Sequence, residues 1–137
     1  MKSKLNVALL RKVKRHMLAD PRRLQMSQAL YVTRGKNAPH CGTVGCIAGW
    51  VVALSRAKKG ETSKHVAQRF DNIWCAVEGE AASVLGLSIQ TLNNLFFVSS
   101  WPDDLRTAYF MATSAKQTAE VTARAIERFI RTRFAED

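Results

Sequence analysis

The sequence predicts an all-α fold, a compact single-domain bundle of about six to seven helices around a central apolar helix. Three observations point there. Apolar residues recur at helical spacing along most of the chain. Capping and stop residues fall at intervals that suit short helices. No alternating apolar–polar run of useful length marks a strand, and there is no internal repeat. The 137 residues, 47% hydrophobic and 23% charged, suit one domain at 1–137 with a real core rather than a disordered chain.

Leu5, Ala8, Leu9, Val13 and Met17 form the stripe of a basic amphipathic N-terminal helix at 3–19, with Lys4, Arg11, Lys12, Lys14 and Arg15 mostly off that stripe. Asp20-Pro21 ends it, because proline disfavours helix in the residue before it. From Arg22 to His40 no period is firm, and Arg34-Gly35-Lys36-Asn37-Ala38-Pro39 reads as a loop. Thr43 is placed as an N-cap accepting from the Cys46 N–H. The residues that follow, Ile47 to Leu54, are apolar on nearly every side, as befits a central helix.

Thr62 or Ser63 starts the next helix, carrying Val66, Phe70, Ile73 and Trp74, with Gly79 a candidate break and Gly86 a C-terminal stop. Ser88 caps a short helix bearing Leu92, Leu95 and Phe96. Trp101-Pro102-Asp103-Asp104 is a start signal, with proline early and acids in the first turn. Ser114 opens the last helix, whose stripe is Ala115, Ala119, Thr122, Ile126, Phe129 and Ile130. Its outer face offers Glu120–Arg124 and Glu127–Arg131 as i,i+4 pairs.

The net charge of +10 is concentrated. Residues 1–36 hold ten Lys or Arg and one acid, Asp20, leaving +9, whereas residues 37–137 sum to +1. Such a surplus repels itself unless it is solvated or meets an anion. The longest apolar stretch, Cys46 to Leu54, is too short to span a bilayer. An apolar leader is interrupted by Arg11, Lys12, Lys14 and Arg15, so export is not expected. Three cysteines suit a reducing, cytoplasmic compartment.

Several segments carry sharper readings. Gly42-Thr43-Val44-Gly45 leads into a helix whose first N–H groups can hold a phosphate, with Arg34, Lys36 and His40 close before it; the alternative is a capped, buried helix start. Cys41 and Cys46 are weak zinc candidates, since structural zinc usually takes two close pairs and no second one exists. A catalytic thiolate lacks an evident orienting carboxylate, and two buried packing cysteines are the favoured reading. Residues 81–95 resemble a helix-turn-helix, with Gln90, Thr91, Asn93 and Asn94 as base or phosphate contacts. Against this, no Lys or Arg occurs from Ala81 to Ser100, and Ile89 and Phe97 on the would-be reading face imply burial. The tryptophans and Tyr109 are core anchors or base-stacking residues, Trp101 being the one expected to stay partly exposed.

Cys41-Gly42-Thr43-x-x-Cys46-x-Ala48-Gly49-Trp50 resembles the motif of an uncharacterised family of small bacterial and phage proteins. The likeness extends to Leu85-Gly86-Leu87-Ser88, Leu95-Phe96, Trp101-Pro102, Arg106, Tyr109 and Ala125-Ile126-Glu127-x-Phe129-Ile130. Where that family carries Phe-Asp-Met, this chain has Leu24-Gln25-Met26. The resemblance brings no known activity; it implies a phage or bacterial setting, in which small basic proteins bind nucleic acid or interfere with host defence.

The expected function is therefore a non-enzymatic binding protein for an anionic ligand, a nucleotide or nucleic acid. Lys12, Lys14, Arg15, Arg34, Lys36, His40, Thr43 and Arg106 would bind by charge and hydrogen bonds, and Trp101 and Tyr109 by stacking. The alternatives are a protein-interaction module that meets an acidic partner protein, and a helix-turn-helix DNA-binding regulator. No complete catalytic set and no cofactor signature is visible. The aromatic cluster around Phe97 leaves room for a homodimer face.

Overall fold

A computed structural model describes residues 5–32, 43–57 and 59–134. Among them are seven α-helices and one small sheet: α1 Val7–Ala19, β1 Leu30–Val32, β2 Thr43–Gly45, α2 Ile47–Ala57, α3 Ser63–Phe70, α4 Trp74–Leu85, α5 Ile89–Phe96, α6 Asp103–Met111 and α7 Ala115–Thr132. Single turns of 3-10 helix follow α1 at Pro21–Arg23 and α5 at Val98–Ser100. The all-α bundle is thus what the chain forms.

Local chemistry sets most helix ends. The Asn6 side chain accepts from the Leu9 N–H, so α1 begins at Val7, later than the expected residue 3. Thr62, Ser88 and Ser114 cap α3, α5 and α7 in the same way, each accepting an N–H three residues on. Gly86 ends α4 in the left-handed region at φ 83°. Gly79 does not split α4. The break falls earlier, at Asp71 and Asn72, which adopt φ of 49° and 59°. Asparagine tolerates this conformation better than most residues.

Helix α2 is the centre of the molecule. Every residue from Ile47 to Leu54 is buried, and α1, α3, α4 and α5 pack around it. The two short strands pair antiparallel, Leu30 opposite Gly45 and Val32 opposite Thr43. At three residues each they are too short to show an alternating pattern, so periodicity missed them. Asn72 secures this corner. Its Oδ1 accepts from the Ala29 N–H (2.8 Å) and the Leu30 N–H (3.1 Å), while its Nδ2 donates to Gln28 Oε1 (2.7 Å).

The described half of the cysteine-glycine motif packs against this corner. The Cys46 N–H donates to the Gln28 and Ala29 carbonyls at 2.9 and 3.2 Å. Thr43 therefore does not cap α2; it lies fully buried in β2. Gly49 is needed because a Cβ there would stand 1.8 Å from the Ala29 carbonyl oxygen. Trp50, fully buried, donates from Nε1 to the Arg23 carbonyl (2.8 Å), and the His16 ring lies against it at 4.5 Å.

Candidate anion-binding surface

Helix α1 buries Leu9, Leu10, Val13 and Met17 and turns Arg11, Lys12, Lys14 and Arg15 away from that stripe. Helix α7 packs beside it and places Glu127 at the seam. Arg11 donates from Nε and Nη2 to the two Glu127 oxygens (3.2 and 3.3 Å), and Lys14 Nζ donates to Oε1 at 2.6 Å. These hydrogen bonds, from Arg11 first and then Lys14, hold the Glu127 carboxyl below the usual carboxylate range.

One carboxylate thus faces two cations. Lys12 and Arg15, one turn apart on α1, form no ion pair with a described residue. The i,i+4 pairs expected on α7 also fail to form. Glu127 turns to α1 rather than to Arg131, and Glu120 makes no bridge to Arg124. A carboxylate between two cations from another helix gains more than in a single exposed pair on its own helix. Arg131, exposed one turn beyond Glu127, consequently extends the positive surface across the seam. Sequence reading missed its contribution by assigning Glu127 to it. The unmatched cations of α1 were the signal that could have redirected that carboxylate.

The other early cations leave this face. Arg22 forms a two-point pair with Asp20 (2.9 and 3.0 Å). Arg23 points inward, its Nη1 donating to the His16 carbonyl at 2.8 Å and lying 3.2 Å from Nδ1. Burial, and then the Arg23 charge, lower the His16 pKa to about 4, so the imidazole adds no charge at neutral pH.

Of the remaining expected anion contacts, Arg34, Lys36 and His40 lie outside the described residues, as does Cys41. Thr43 is shut inside the sheet corner, and the start of α2 is buried with it. Arg106 is not beside α1 in its bonding. It pairs with Asp103 and reaches the Ser99 and Trp101 carbonyls.

Of the two expected stacking residues, Trp101 is corrected. Trp101 is 1% exposed, against the partial exposure expected, and its Nε1 donates to the Leu95 carbonyl (2.8 Å). Tyr109 packs edge-on to it at 5.5 Å. Trp101 is a core anchor with no face for a base.

Cys46 is fully buried, and burial pushes its thiol up to about 11 against the lowering by the Gly49 and Ala48 N–H groups. A thiol so protonated is a packing group rather than a nucleophile. Cys75, by contrast, is exposed. Among the described residues no three His, Cys, Asp or Glu gather as a metal site.

The helix–turn–helix outline is present as α4, Gly86 and α5. The expected burial of Ile89 and Phe97 is not. They are 42% and 37% exposed, and Trp74 stacks on Phe97 at 5.8 Å. Ile89 and Phe97 thus lie exposed near Gln90 and Asn94 in the chain, and residues 81–100 supply no Lys or Arg. Among the described residues no helix is long and apolar enough to cross a membrane. The chain matches no protein-family model, no curated protein and no solved structure.

Proposed function

We propose that this is a non-enzymatic binding protein whose ligand is the phosphate backbone of nucleic acid, held on the α1–α7 face. The observation that carries this reading is the charge balance at the seam. Arg11 and Lys14 share the carboxylate of Glu127, while Lys12, Arg15 and Arg131 make no ion pair with a described residue. Cations strung along a convex helix suit a repeating chain of phosphates better than one enclosed nucleotide. Among the described residues no base-reading set accompanies them, so contact is by charge and hydrogen bonding and tolerates sequence.

Fluorescence anisotropy with a labelled DNA duplex tests this. Binding should weaken steeply with salt, and K12E/R15E should flatten the log–log salt slope by about two, the loss of two phosphate contacts. A folded K12E/R15E protein that binds like the parent would overturn the assignment, as would absence of salt-dependent binding.

One observation favours an acidic protein as the alternative partner. Leu18, one turn beyond Arg15, is 41% exposed, an apolar group beside a basic face. Under that reading L18S would weaken partner binding as much as K12E/R15E, while duplex DNA would not bind.

A further inference from the structure

We propose that the cleft between α6 and α7 is a homodimer interface, filled by a second copy of this chain about a two-fold axis. The cleft measures about 460 Å³. Its floor is made of small or buried apolar side chains, Ala108, Ala112 and Val121. Met111 stands at its edge, 73% exposed, and Phe110 beside it is 70% exposed. These are the two most exposed large apolar side chains among the described residues. A monomer gains nothing by leaving two such groups in water beside an apolar hollow, and such a combination marks an interaction site.

The charge pattern on the rim selects the occupant. Glu120 and Arg124 line the cleft one turn apart on α7 and are exposed. Although spaced for an i,i+4 pair, they make no ion pair with each other or with any other described residue. A two-fold axis crossing α7 runs the second α7 antiparallel, so that Glu120 of each copy meets Arg124 of the other. The same rotation carries each Met111 toward the opposite hollow. Knob, hollow and both charges are thereby matched by one operation, as an isologous interface requires. An unrelated partner would have to supply each complement separately.

Sedimentation velocity without nucleic acid tests this independently of any role for the α1 face. The protein should sediment as a dimer that dissociates on dilution. M111E should be a folded monomer, since that side chain is too exposed to matter for folding. E120R and R124E should each raise the dimer dissociation constant about tenfold, because each turns two attractive contacts into two repulsive ones. The double exchange E120R/R124E should restore the parent value. A monomer at all concentrations overturns the proposal. So does a dimer indifferent to M111E, or a double exchange no better than the single ones.

Discussion

At the scale of single residues, two glycines in helices have opposite roles. Gly49 faces the Ala29 carbonyl so closely that a methyl group cannot be placed without moving backbone. G49A should therefore cost about 3 kcal/mol or more, since the obstacle is not a movable side chain. Gly79 has nothing within 4 Å of the same added atom. G79A should instead stabilise the protein by up to about 1 kcal/mol through helix propensity alone. Chemical denaturation of the two variants reads both effects, and equal effects would contradict the packing described.

His16 gives a second residue-scale expectation. Its folded pKa, about 4, lies below the unfolded value of 6.5. The unfolded chain therefore takes up the proton first, and stability present above pH 6.5 is lost as pH falls toward 4. In H16Q that part of the pH dependence should disappear, whatever the variant's stability at neutral pH. Denaturant midpoints at pH 7.5 and pH 5 measure it, and an unchanged slope in H16Q would assign the loss to other groups.

At the scale of elements, the seam between α1 and α7 turns on Glu127. Its pKa is depressed in the fold, so its contribution is complete above the ordinary carboxylate range and vanishes as pH falls through the folded value. The group is largely solvated, which limits that contribution to about 1 kcal/mol or less. E127A should lower stability by no more than this at pH 7 and by nothing in acid, as thermal melts at the two pH values would show. Helix starts at this scale were legible because Ser88, Ser114 and Thr62 each satisfy an orphan N–H within three residues. The Asp71–Asn72 break was not, because it depends on Asn72 reaching Gln28, Ala29 and Leu30, far away in sequence. Ion pairs were misread for the same reason. Spacing on one helix suggests i,i+4 partners, while packing brings Arg11 and Lys14 to Glu127 from more than a hundred residues away.

At the scale of the whole molecule, the fold class and its central helix could be read from the sequence, because eight consecutive apolar residues in a helix have no place but the interior. The excess of charge in the first 36 residues was legible too, but its distribution was not. Packing spends Arg22 on Asp20 and Arg23 on His16, and it buries Thr43 and Trp101. It leaves Lys12 and Arg15 on an outward face and adds Arg131. Among the described residues the positive surface therefore spans α1 and α7, and none of Arg22, Arg23 and Thr43 adds to it.

Under the proposed function, Glu127 partly masks a cationic seam on α1 and α7 that would otherwise meet phosphate. The most direct measurement is the salt dependence of duplex binding by E127Q beside the parent protein. Removing one negative charge should tighten binding and steepen the log–log salt slope by about one. If folded E127Q binds no more tightly than the parent, with the same slope, the seam between α1 and α7 is not where the polyanion lies.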